Sequence, residues 1–189
     1  MPKAEAPGEY GSSVEDAGLR AASLSLFRAL SERQLRLACA ESCTGGLVTA
    51  ALTDIPGSSE TLWGGVAAYS NECKIDVLGV PRETIERYGA VSIEVARAMA
   101  EGILKASRAS GDRGSGGADL GLAITGIAGP GGGSAEKPVG LVCFSWRLRS
   151  GEGREESVVF PGDRAVVRAA AARRALEMAA AMIASLPRR

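Results

Sequence analysis

QLRLACAESCTGGLVTAALTDI, residues 34–55, is the stretch from which the architecture can be read. QLRLACA shortens to the alternation of a strand, Glu41-Ser42-Cys43-Thr44 close it with polar groups, and Gly45 and Gly46 open a helical LVTAALTDI. Strand, tight turn and helix in that order begin an α/β fold. Upstream, Leu19, Ala22, Leu26, Phe27 and Leu30 fall on one stripe of an amphipathic helix. Downstream, WGGVAAYS reads as a strand, NECKIDVLGV as a short helix ending before Pro81, and PRETIERYG as another turn or two. Ser92 is placed to cap SIEVARAMAEGILKAS, whose Ile93, Ala96, Ala100, Ile103 and Leu104 make one apolar face. DLGLAIT, VGLVCFSWR and REESVVF read as strands, the last two joined by a hairpin-like SGEG, and an Ala-rich helix follows from about 164 to 185. Strands alternate with helices and then two strands pair directly. This predicts a single α/β domain over 14–189, with helices on both faces of a mixed sheet. Residues 1–13, rich in Pro, Gly, Ser and charge, are expected to form a disordered tail, and the Gly/Ser/Arg stretch at 108–117 a surface insert.

Composition narrows the function classes. The 189 residues carry 22 Lys+Arg against 22 Asp+Glu and only three Phe, two Trp and three Tyr, so neither the basic footprint nor the stacking surface of a nucleic-acid binder is present. The absence of histidine excludes Ser/His/Asp and Cys/His catalysis and the HExxH zinc sites. Cys39, Cys43, Cys73 and Cys143 form no CxxC pair and are read as reduced thiols, with no disulfide framework, no metal and no cofactor expected. No apolar run reaches the ~18 residues of a membrane span, and the start lacks the pattern of a signal peptide, so no membrane partner and a cytoplasmic location are expected. The Ala-rich final helix, with small residues on several faces, suggests a homo-oligomer.

Four segments are chemically suggestive. In AESCTGG a hydroxyl sits where a strand turns into a helix start, beside free amides that hold an oxyanion well, so Ser42 is a candidate nucleophile. The same residue, or Thr44, also fits a plain helix cap, and the segment is not a GxSxG elbow, since Ala40 and Thr44 replace its glycines. In AAYSNECK, Tyr69 ends a strand and Lys74 lies in the following helix; in a chain without histidine such a lysine is the known substitute base. A lysine begins near a pKa of about 10.4, so this role demands burial or a nearby cation; the alternative is a solvated Lys74 and a half-buried Tyr69. The glycine-rich TGIAGPGGGSAEKPVG could wrap a phosphate or simply connect two strands, and it matches neither a Walker A loop nor GxGxxG. In GDRAVVR, Asp163 is placed as the N-cap and Arg164 stands in the first helical turn, unfavourable to the dipole unless it meets an anion; Arg168 shares its face.

Together, AESCTGGLVTAALTDIPGSS, GGVAAYSNECKIDVLGV, YGAVSIEVARAMA, AITGIAGPGGGSAEKPVG and FPGDRAVVR resemble the CinA carboxy-terminal family of nicotinamide-nucleotide amidohydrolases, in unbroken order over about 35–175. The resemblance implies a three-layer α/β/α sandwich and hydrolysis of the carboxamide of nicotinamide mononucleotide to nicotinate mononucleotide and ammonia. Carried over position by position, it implies Ser42 as nucleophile and Lys74, helped by Tyr69, as its base. Amides of Cys43, Thr44, Gly45 and Gly46 become candidates for the oxyanion hole, and Thr125, Gly126 and Arg164 for ribose-phosphate contacts. Many relatives carry a further amino-terminal nucleotide-pyrophosphatase domain with no counterpart in this sequence, so the stand-alone form is expected. The rival from another class is a nucleotide-binding or partner-binding module that has lost turnover; within enzymes, the rival is Cys43 as nucleophile.

Overall fold

Strand β1 (Leu37–Glu41) is buried along its whole length, because it pairs in parallel with a strand on each side and carries helices on both faces. The computed structural model describes residues 16–108 and 116–187, and the expected tail at 1–13 and most of the 108–117 insert lie outside these described residues. Helix α1 (Ala17–Arg33) leads into β1, then follow α2 (Leu47–Thr53), β2 (Leu62–Ala67), α3 (Asn71–Asp76), α4 (Arg82–Tyr88) and α5 (Ile93–Ala106). The chain continues as β3 (Leu120–Gly126), β4 (Leu141–Leu148), β5 (Gly153–Val159) and α6 (Arg164–Ser185). The sheet order is β2-β1-β3-β4-β5, parallel across β2, β1 and β3 and antiparallel from β3 through β4 to β5.

Side chains alternate across the strands and so build two separate cores. On one face, Leu37, Leu122, Ile124, Phe144 and Trp146 pack against α1, α2 and α6 through Leu26, Leu30, Leu52, Leu176 and Ile183. The Trp146 indole N–H is satisfied there by the carbonyl of Ala175 at 3.0 Å. On the other face, the small Ala38, Ala40 and Ala123 let α3, α4 and α5 approach through Leu78, Ile85, Val95, Met99 and Ile103. The sandwich is therefore the α/β/α arrangement expected. Helix starts are fixed by the capping residues visible in the sequence: Ser92 accepts from the Val95 N–H and Asp163 from the N–H groups of Ala165 and Val166. Among the described residues, no helix is long and apolar enough to cross a membrane.

This topology dictates where a site can form. From β1 the chain crosses to β2 by way of α2 on one face; from β2 it crosses back over β1 to β3 by way of α3–α5 on the other. The carboxyl ends of β1 and β3 thus lie side by side while their outgoing connections diverge, which opens a crevice at the switch point. β5 runs in the same direction as β3, so the start of α6 arrives at the same sheet edge.

Candidate active site

Ser42 follows β1 directly, and its amide is held by the carbonyl of Ile124 on β3 at 2.9 Å. Positive φ at Gly45 (61°) and Gly46 (94°) bends the chain into α2 within four residues, a path closed to most side chains. Lys74 comes from α3, which returns over the end of β2, and its Nζ lies 3.1 Å from Ser42 Oγ. Both side chains are buried, Ser42 8% and Lys74 2% exposed. The amine also donates to the main-chain oxygens of Ala68 at 3.0 Å and Tyr69 at 3.2 Å, with that of Ser70 at 3.5 Å. A neutral amine has two hydrogens and one lone pair. With the hydrogens on Ala68 and Tyr69, the lone pair is left for the Ser42 hydroxyl, the geometry a general base needs. Burial pulls the Lys74 ammonium below the ordinary lysine value, against the opposing pull of Cys73, Cys43 and Glu72.

The amides around Ser42 can be accounted for one by one. Gly45 N–H donates to Ser42 O at 3.0 Å, Leu47 to Thr44 O at 3.3 Å, and Gly46, Val48 and Thr49 to the carboxylate of Glu41. Among the described residues, the amides of Cys43 and Thr44 have no oxygen partner. The oxyanion donors expected over Cys43 to Gly46 therefore reduce to these two, because the turn and the helix cap consume Gly45 and Gly46. The Thr44 hydroxyl is likewise buried without a partner, and Thr44 O accepts from Arg168 Nη2 at 2.7 Å. Burial pushes the Cys43 thiol up to about 12, with Glu41 adding to the rise, so a thiolate is not the resting form.

Tyr69 is placed differently from the expectation. Its phenol is exposed and accepts a hydrogen bond from Arg164 Nη2 at 2.8 Å; among the described residues it bonds to neither Ser42 nor Lys74, and the Tyr69 group that holds Lys74 is its main-chain carbonyl. Arg164 also donates to Gly129 O at 2.9 Å, tying the glycine-rich loop to α6. No carboxylate of the described residues pairs with Arg164 or Arg168, whereas Arg97, Arg147, Arg173 and Arg174 all have one. The rim of the crevice is thus cationic.

Thr125 and Gly126 end β3 next to the serine turn. The Thr125 hydroxyl is buried and donates to Ala90 O at 2.8 Å, so it is committed to the fold. A Cβ at Gly126 would stand 2.8 Å from Leu141 O and 3.0 Å from Cys43 Sγ, which makes glycine the residue that lets the serine turn seat against β3. Lys137, at the far end of the glycine loop, donates to Tyr88 O at 2.6 Å and Val91 O at 2.7 Å and pins that loop to the α4–α5 turn. Three of these residues escaped the reading of the sequence. Glu41 closes the quoted motif with no role read from it, Arg168 is read only as sharing a helix face, and Lys137 goes unread inside the glycine-rich loop. A glutamate closing a fully apolar strand just before a helix that starts on glycine was the available signal for Glu41.

Fold and crevice define a class: a mixed α/β sheet with a buried serine–lysine pair at its switch point. The family model described as the CinA C-terminal domain matches residues 20–183, and the chain belongs to that family. Among relatives, a CinA-like protein of Akkermansia muciniphila is 46% identical over 147 residues, 78% of this chain and 33% of the relative. A CinA-like protein of Syntrophomonas wolfei is 50% identical over 143 residues, 76% of this chain and 32% of the relative. The chain thus spans about a third of the length of these relatives. Among solved structures, the competence/damage inducible protein CihA from Agrobacterium tumefaciens superposes with a TM-score of 0.78 at 39% identity, covering 91% of this chain and 96% of that one. A CinA superfamily protein from Klebsiella pneumoniae gives 0.81 at 36% identity over 89% and 99%.

Proposed function

We propose that this chain hydrolyses the carboxamide of nicotinamide mononucleotide, releasing ammonia and nicotinate mononucleotide through an acyl-enzyme on Ser42. The observation that carries the reading is the buried Lys74 amine 3.1 Å from Ser42 Oγ, with two carbonyls to hold its hydrogens. Neutral Lys74 takes the Ser42 proton as Oγ attacks the amide carbon. The oxyanion that forms is received by the amides of Cys43 and Thr44, each such donor typically worth ~2.7–4 kcal/mol in the transition state. Lys74 then gives its proton to the departing nitrogen, ammonia leaves, and a water deprotonated by Lys74 hydrolyses the ester. Arg164, braced by Tyr69 and Gly129, supplies a guanidinium for the phosphate, and the main chain of Thr125–Gly126 borders the ribose. The setting is the cytosol, in pyridine-nucleotide salvage.

The test is ammonia release from nicotinamide mononucleotide by the purified protein, with Ser42→Ala in parallel and EDTA present. Release that is abolished in Ser42→Ala and indifferent to EDTA supports the reading. Folded protein that binds the nucleotide without releasing ammonia refutes it in favour of a binding module.

A further inference from the structure

The turn that carries Ser42 is held by a side chain with no part in the chemistry described so far. Glu41 is the last residue of β1 and 1% exposed. A carboxylate taken this far out of water has to be fully hydrogen-bonded, and Glu41 is. Oε2 accepts from the N–H groups of Gly46 at 3.0 Å and Val48 at 3.1 Å; Oε1 accepts from the Thr49 N–H at 2.9 Å and the Thr49 hydroxyl at 2.7 Å. α2 has no cap of the usual kind, since its N-cap is Gly46 and no side chain at that position can accept. The carboxylate that replaces it reaches across from the strand side of the very turn that bears the nucleophile.

Two consequences follow from this placement. Both ends of the segment 42–45 are fixed to one rigid group: Ser42 is the next residue after Glu41, and Gly46 is bonded to its carboxylate. Arg168, bonded to Thr44 O, clamps the middle of the same segment from α6. Second, the helix-start amides that would otherwise compete for a negative charge are already occupied, which leaves beside Ser42 the amides of Cys43 and Thr44, whose one neighbour of acceptor type is the Cys43 sulfur, a weak acceptor, and which bond no oxygen among the described residues. We infer that Glu41 is a positioning residue for attack by Ser42: its carboxylate sets the turn in which the Ser42 hydroxyl and the amides of Cys43 and Thr44 act on one reacting carbonyl. This deepens the proposed function and rests on its assignment of Ser42 as nucleophile.

A cap that served stability alone would behave differently, and the experiment separates the two. Glu41→Gln keeps the size but turns an NH2 group toward donors; Thr49→Val is the milder variant, removing only the hydroxyl that Oε1 accepts. Each is measured well below its urea midpoint, by kcat and KM for ammonia release and by the rate at which a phosphonofluoridate labels Ser42, read by mass spectrometry. In that labelling the Oγ–P bond forms, the P–F bond breaks, fluoride leaves and the hydroxyl proton passes to Lys74. For Glu41→Gln, kcat and the labelling rate are expected to fall by about 10²-fold, the scale of losing one oxyanion donor, with KM within about threefold. Thr49→Val should lose several-fold in the same two quantities. If folded Glu41→Gln, or Thr49→Val should Glu41→Gln not fold, keeps both rates within about threefold of the parent while its urea midpoint drops, Glu41 is a cap and nothing more. Native protein that labels at Ser42 yet releases no ammonia would sink the substrate assignment alone, leaving the labelling rates to decide on Glu41; native protein that fails to label at Ser42 would overturn both.

Discussion

Replacing Lys74 with methionine tests whether the buried amine is held neutral, and it does so through stability as well as rate. Methionine matches the stem but cannot accept a proton, so kcat should fall by roughly 10²–10⁴-fold, the usual contribution of a general base. The stability effect has a pH-independent and a pH-dependent part. Ala68 O and Tyr69 O lose a donor, at about 1–3 kcal/mol for each carbonyl left unpaired in a buried site, whatever the pH. The other part follows from the direction of the Lys74 shift. Its folded value lies below the unfolded one because of burial, so between the two values the unfolded chain binds more protons and stability rises with pH. Below the folded value the parent protein carries the full penalty, about 1.4 kcal/mol for each pH unit separating the two, and above about 10.5 it carries none.

Lys74→Met lacks that penalty at every pH. Its stability relative to the parent should therefore be most favourable at low pH and should decline as pH rises through the folded value toward the unfolded one. Urea unfolding of both proteins, followed from below the folded Lys74 value up to 10.5, reads the difference directly, since all other titrations are shared. Parent kcat/KM should climb over the same range as Lys74 loses its proton. A stability difference that stays flat, or that grows in favour of the variant with rising pH, would refute a base made neutral by burial.

The remaining expectations concern the neighbours of the pair. Cys43→Ala should keep most of the ammonia release, because a thiol pushed up to about 12 is protonated at neutral pH; loss comparable to Ser42→Ala would transfer the chemistry to sulfur. Arg164→Ala should raise KM for nicotinamide mononucleotide by about 10–100-fold, the worth of a hydrogen-bonded charge pair, and leave nicotinamide riboside, which has no phosphate, nearly unaffected. Equal effects on both amides would mean that Arg164 only braces Tyr69 and Gly129.

Which features the sequence disclosed follows from how local their causes are. Helices α1 and α5 and the strands β1, β3 and β4 announce themselves by periodicity, and Ser92 and Asp163 by their place three residues ahead of the amides they cap. The pairing of Ser42 with Lys74 came from the motifs that the chain shares with its family, since the two are 32 residues apart and meet only because α3 folds back over β2. The rotation of the Tyr69 phenol toward Arg164, 95 residues away, has no local cause at all. It depends on β5 delivering the start of α6 to the same end of the sheet at which β2 terminates. The division of labour among the amides of 43–49 was hidden for a different reason: it is decided by one carboxylate whose reach, not its type, assigns which donors are spent.

That one environment also explains how a chain without histidine can choose among the nucleophiles it gathers at a single point. Ser42, Cys43 and Lys74 all lie out of water at the switch point, and burial disfavours charge on each. The reactive form of cysteine is the anion, so burial disables it, and Glu41 behind the turn adds to the effect. The reactive form of lysine is the neutral amine, so the same burial enables it. Serine needs no resting charge, only a base in contact and amides ready for the charge that develops during attack. A single physical cause, exclusion of water from the ends of β1 and β2, therefore favours the neutral amine of the lysine and disfavours the thiolate beside it. On the proposed function, the attack then falls to the Ser42 hydroxyl, 3.1 Å from the Lys74 amine.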